Sequence, residues 1–265
     1  MTPPVLQKSL PFAPWMDPAA WRLPGTQPLD PSTWLVTDDA FGQQMALRER
    51  LIAEKLEEVH ALLPAAKAAA QECLTTVLRF LPNLAGYVLE ETSVTRPDGA
   101  RVAIDRAMPL ITIGRLIQED VCLILPGADE HILGGAILCF PASWTLSQKI
   151  GRPLMRIHAP VPKYDADVGR RVQRLFDAIR VDRPLWRANA HLEDDPDLFA
   201  QRHEDEPHPR KSAAPPYLRS ERQTLMRLPE SGAVVFAIHT WMVAVASLSK
   251  EQQDTLGAVR AQYKT

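Results

Sequence analysis

His158 lies in a segment of unusual composition: from Cys139 to Tyr164 the chain reads CFPASWTLSQKIGRPLMRIHAPVPKY, with prolines, aromatics and basic residues around the ring. Pro160 and Pro162 fix their own φ angles and bias Ala159 and Val161 toward extended backbone, so the stretch after His158 is expected to be a stiff, non-helical strap. Arg152, Arg156 and Lys163 lie on either side, and cations near a ring nitrogen disfavour the imidazolium. A neutral imidazole held this way is fit to coordinate a metal ion or a haem iron. The plain alternative is a structural histidine satisfied by its neighbours.

Other chemistry-bearing residues give weaker signals. The cysteines Cys73, Cys122 and Cys139 are odd in number, far apart and each inside an apolar run, which argues against a disulfide framework or a zinc knuckle and for buried thiols. His203, Glu204 and His208 lie in DDPDLFAQRHEDEPHPRKSAAPPY, a polar, proline-rich stretch without core periodicity that reads as a solvated loop. There is no iron–sulfur cysteine spacing, no dinucleotide fingerprint and no phosphate loop, so electrons for any redox step must come from outside these residues.

The elements that would position such residues can be read in outline. Residues 1–38 hold eight prolines and three tryptophans, Trp15, Trp21 and Trp34, as expected of an extended arm anchored by aromatic packing. DDAFGQQMALRERLIAEKLEEVHALL predicts one amphipathic helix as far as Pro64, and AAKAAAQECLTTVLRFL a second, so 39–82 form a helical layer. YVLEETSVTR, Pro97-Asp98-Gly99 and RVAI read as strand, turn, strand; VCLILPG and GGAILCF read as buried strands. DADVGRRVQRLFDAIR predicts a helix, PLWRANAHLE and AVVFAIHTWMVAV further strands, and SKEQQDTLGAVRAQY a C-terminal helix within 243–265. The order is α+β rather than doubly wound, with 83–242 as sheet and binding core, and residues 1–265 are expected to form one elaborated domain.

Composition sets the class. With 46% hydrophobic and 23% charged residues the chain has the makings of a sizeable core, and a net charge of −2 gives no field suited to nonspecific nucleic-acid binding. No apolar run is long enough to span a bilayer and no leader is evident, so a cytoplasmic protein is expected.

Several strings, LPGTQPLDPSTWLVTDDAF, GRLIQEDVCLILPG, HILGGAILCFPASWTLSQKIGRPLMRIHAPVPKY, VDRPLWRANAHLEDD and SERQTLMRLPESGAVVFAIHTW, together resemble the haem-dependent oxidative N-demethylases, including the haem subunit of dimethylamine monooxygenase. The resemblance spans roughly residues 28–242. It implies a PAS-like antiparallel sheet with flanking helices around a haem b, where O2 oxidises an N-methyl group and the carbinolamine collapses to amine and formaldehyde. His158 then falls on the family's I-H-x-P-V-P string as the axial iron ligand and the metal site. Arg222 and Arg152 are the cations expected at the propionates, against the alternative of ordinary salt bridges. An amine substrate is a cation, so Glu119 and Asp120 are the candidate catalytic acids, against strand-end capping or pairing with Arg115; Trp144 and Trp186 are candidate cavity walls and Asn189 a candidate orienting group. No flavin or iron–sulfur cluster is expected in these residues, so a separate flavin and iron–sulfur reductase is implied, and the arm is expected to cover the cofactor. The alternative class is a non-enzymatic PAS-like haem sensor or ligand-binding protein, which should carry an output element beyond one short helix.

Overall fold

The computed structural model describes residues 3–22, 25–159, 166–207 and 212–261. Prolines cut the N-terminal arm into short pieces. They are a 3-10 turn at Pro14–Met16, helix α1 (Pro18–Trp21) capped by Asp17, a two-residue strand β1 (Gln27–Pro28), and a 3-10 turn at Pro31–Thr33 capped by Asp30.

The first long helix is shorter than its sequence pattern. Helix α2 (Phe41–Glu54) ends at Lys55, a single turn α3 (Leu56–Val59) follows, and His60–Leu62 turn into strand β2. The apolar spacing persists across this break, but Leu63 precedes Pro64 and is biased to extended backbone, and β2 finds a sheet edge against Gly135–Ile137. Helix α4 (Lys67–Phe80) then forms as expected. Strands β3 (Val88–Leu89), β4 (Ser93–Thr95) and β5 (Arg101–Ala103) make a small antiparallel sheet whose turn uses Gly99 at φ 82°. Helix α5 (Pro109–Leu116) is not legible as one in the sequence, because every residue of PLITIGRL except Arg115 is buried and no polar face marks a helical period.

Strands β6 (Asp120–Leu125) and β7 (Ile132–Ile137) precede the short helix α6 (Leu154–Ile157) and helix α7 (Ala166–Ala178). Then come β8 (Leu185–Glu193), β9 (Tyr217–Arg227), β10 (Val234–Ala244) and two short helices, α8 (Lys250–Asp254) and α9 (Gly257–Ala261), in place of the one helix expected. The large sheet has the order β1-β8-β9-β10-β6-β7-β2, antiparallel throughout, so the fold is α+β.

Register decides what faces what. Arg187 pairs with Gln223 and Gln223 with Ile238; Asn189 pairs with Glu221 and Glu221 with Thr240, so these side chains share one face, here the front. Ile238 and Leu225 pack there with Cys122, Ala136, Leu154, Phe176 and Ile179, which seats α6 and α7 on the front. The back face carries Ala190, Leu192, Trp241 and Val243 under the arm's Leu10 and Trp15. Farther along the same face, Val121, Leu123, Val235 and Ala237 pack under the helices α2, α4 and α5.

Candidate functional site

His158 caps the C-terminal end of α6, and the elements around that helix fix where the ring points. The Glu130 carboxylate accepts from the Met155 N–H at 3.1 Å and the His131 carbonyl from the Leu154 N–H at 3.0 Å, so the start of α6 is tied to the end of the β6–β7 connection. Gly169 of α7 lets the two helices close up: a Cβ there would run into Met155 Sδ. At the other end of α7, Arg227 of β9 donates to the carbonyls of Phe176 and Ile179, capping the helix.

The Leu154 carbonyl accepts from both the backbone N–H of His158, at 3.1 Å, and its ring Nδ1, at 2.9 Å. A carbonyl can only accept, so Nδ1 carries the hydrogen and the neutral ring has its lone pair on Nε2. Burial holds the imidazole below its ordinary pKa, and the nearby charges of Lys149 and Arg187 push the same way, against the Leu154 carbonyl. The ring is thus in the state a metal ligand needs: neutral, one nitrogen fixed by a second partner.

Three more groups define the surroundings. Lys149, buried, donates to the Ile157 carbonyl at 2.9 Å and pairs with Glu204, which also takes the Arg156 guanidinium at 2.8 Å. Those bonds hold the Glu204 carboxyl down at about 2. Beyond them runs a polar row on the front of the sheet. Glu221 accepts from Arg219 Nε at 3.0 Å, Asn189 Nδ2 at 3.1 Å and Gln223 Nε2 at 3.0 Å, while Gln223 Oε1 accepts from Arg187 Nη1 at 2.8 Å. Although burial raises it, Glu221 stays ionised because of Arg219 and its other donors. Trp144 packs half-buried against the apolar cluster with Ile157 and Leu154, and the residue before it, Ser143, holds φ at 60° while its N–H donates to the Ala200 carbonyl.

The other residues singled out in the sequence lie elsewhere. Asp120 is enclosed: it takes Arg48 at 2.6 Å and the N–H groups of Cys139 and Phe140 at 2.7 and 2.8 Å. Glu119 points to the back, where Oε1 accepts from the Val36 N–H at 2.8 Å and from His239 Nδ1 at 3.1 Å. Arg222, also on the back, donates to the carbonyls of Thr33 and Trp34 and lies over the Trp186 ring, which Phe12 of the arm meets edge-on. Arg152 is exposed at the turn before α6. Trp144 and Asn189 share the front with His158, as does Asp120 by its register opposite Ile238, although its carboxylate is closed around Arg48. The arm covers the back face, not the front.

Glu204, expected in a solvated loop, instead clamps the end of α6, and among the described residues no three histidine, cysteine or acidic side chains gather as a metal site. His208 and the strap Pro160–Tyr164 lie outside the described residues. The three cysteines are free and buried, as expected, and burial pushes the Cys73 and Cys139 thiols up to about 12. Sequence reasoning missed Arg187, Lys149 and Glu221; for Arg187 and Glu221 the signal available was polar and charged residues at alternate positions of what are strands β8 and β9, while Lys149 lies outside both strands and had no such signal.

On this face the structure brings together a half-buried neutral imidazole, an apolar wall and the Arg187 and Arg219 guanidinium groups. The family model for the haem-dependent oxidative N-demethylase, alpha subunit-like, matches residues 25–263, and the chain belongs to that family. No helix among the described residues is long and apolar enough to cross a membrane.

Proposed function

We propose that this chain is the haem-binding subunit of an oxidoreductase that removes an N-methyl group from a small secondary or tertiary amine. The balanced reaction takes one N-methylated amine, one O2, a pair of electrons and a pair of protons to the demethylated amine, formaldehyde and water. The electrons come from a separate flavin and iron–sulfur reductase, and the domain is read as PAS-like. The observation that carries the proposal is the state of His158 in a member of this family: neutral, with Nδ1–H on the Leu154 carbonyl and Nε2 as the donor atom.

The residues fit a haem b. His158 would supply a nitrogen ligand to the iron, Trp144, Leu146, Leu154 and Ile157 would supply apolar contact, and front-face polar atoms remain to be satisfied, among them Arg187 Nε. Bound haem would supply O2 activation. The chain's own part is to hold the imidazole by Leu154, to anchor the end of α6 through Lys149 and Glu204, and to keep a carboxylate ionised within the polar row. Glu221 suits a cationic amine better than Glu119, which faces the back, or Asp120, which is closed around Arg48.

The test is an absorption spectrum of protein expressed with added haem precursor, oxidised and reduced, then titrated with dimethylamine. A Soret band that the amine perturbs, and its loss in His158→Ala, are expected. Full haem occupancy in H158A would refute the axial assignment, and no Soret band at any haem supply would end the enzymatic reading.

A further inference from the structure

Among the described residues two cations on the front of the sheet contact no acid: Arg227, whose donors are taken by the carbonyls of Phe176, Ile179 and Gly232, and Arg187. Arg187 pairs across to Gln223, whose Oε1 accepts from Nη1, but its Nε is fully shielded from solvent with no partner. The fully buried arginines differ from half-buried Arg187. Arg48 has Asp120 and the carbonyls of Gly114 and Gln118; Arg219 has Glu221 and the carbonyls of Phe140 and Leu198; Arg96 has Glu49 and Asp98. Burying an N–H without an acceptor is unfavourable, and more so on a charged group. A guanidinium kept in that state is matched to an anion that arrives from outside the chain.

Position says which anion. Arg187 shares its face with Leu225 and Ile238, the floor under Leu154 and Ile157, and it is one of two cations whose charge reaches the His158 ring. The other, Lys149, is taken up by Glu204 and the Ile157 carbonyl. Arg222 and Arg152, the cations expected from the sequence, are committed to the arm and exposed on a turn, respectively.

We propose that Arg187 binds a carboxylate of the group that His158 ligates, a haem propionate, through the guanidinium edge left open beside Gln223. The inference rests on His158 being the haem ligand. A guanidinium suits this role because its fixed fork can give a carboxylate two parallel hydrogen bonds, which a lysine cannot.

The experiment titrates the apo-protein and its Arg187→Met and Arg187→Lys variants with haemin and with haemin dimethyl ester, whose propionates carry no charge. Thermal unfolding of each apo-protein checks the fold. The wild type should bind haemin about tenfold or more tightly than the ester. R187M should lose most of that preference while keeping the wild-type Soret position, and R187K should recover part of it. A preference in R187M equal to that of the wild type overturns the proposal and leaves the haem reading intact. So does a wild type indifferent to esterification, a result that needs no variant to fold. A wild type that binds neither porphyrin overturns the haem reading and this inference together.

Discussion

Glu119 and Asp120 are adjacent in the chain and go to different places, which shows what residue types alone convey. Both look available to an amine in the sequence, yet Asp120 meets Arg48 of α2 and two backbone N–H groups, and Glu119 meets His239 of β10. Neither partner is close in sequence, so neither can be read locally. His158 is legible for the opposite reason, because prolines and cations act within a few residues of it. Arg187 is not, since its distinction is a missing partner that only the strand register reveals. The structural account of Asp120 makes a prediction. Asp120→Asn leaves Arg48 buried without a counter-charge and should destabilise the protein by about 3–5 kcal/mol. Urea unfolding measures this, and haem titration of the folded fraction should match the wild type. A variant of unchanged stability with impaired amine binding would return Asp120 to the substrate.

At the scale of elements, most strands and helices follow their patterns, and the misses have physical causes. Strand β9 (YLRSERQTLMR) has the period of a strand but carries Arg219, Glu221 and Gln223 on its front, so it reads as surface although it lies between β8 and β10. A central strand breaks the hydrophobic rule where its side chains line a polar site. Helix α2 stops early because the sheet edge and Pro64 outweigh helical spacing. The pair α6 and α7 is invisible as a pair, since their approach depends on the one missing side chain at Gly169. Gly169→Leu should therefore force Met155 and α6 away from α7. Overpacking of this kind costs about 1–3 kcal/mol, which for a domain of this size lowers the melting temperature by roughly 2–4 °C per kcal/mol. Calorimetry of the apo-protein reads the shift, and weaker haem binding should accompany it. An unchanged melting temperature would mean the helices are not held at this contact.

The whole molecule divides its sheet between two tasks. The front holds His158 with its row of polar groups; the back holds the N-terminal arm, fastened where Gln7 bonds Met242 and Asp38, Arg222 takes the carbonyls of Thr33 and Trp34, and His239 bridges two acids. That last bridge makes the fastening sensitive to pH. Both ring nitrogens of His239 face carboxylates, Nε2 toward Asp38 at 3.0 Å and Nδ1 toward Glu119 at 3.1 Å, so both must donate and the ring is an imidazolium. Burial opposes the charge, but the two acids prevail and raise the imidazole to about 9 from an ordinary 6.5. A group whose pKa is higher folded than unfolded binds its proton more tightly in the native state, so its contribution is complete below about 6.5 and fades as pH rises through about 9. On the acid side Asp38, held low by His239 despite burial, loses its contribution as pH falls through its own folded value. The urea midpoint of the wild type should therefore decline across the alkaline window, with the arm becoming accessible to limited proteolysis as it does. His239→Gln keeps a polar side chain but cannot titrate, so its midpoint should start lower at neutral pH and stay flat over the same window. An alkaline decline as steep in H239Q as in the wild type would place the sensitivity on another group and leave the arm's attachment independent of this bridge.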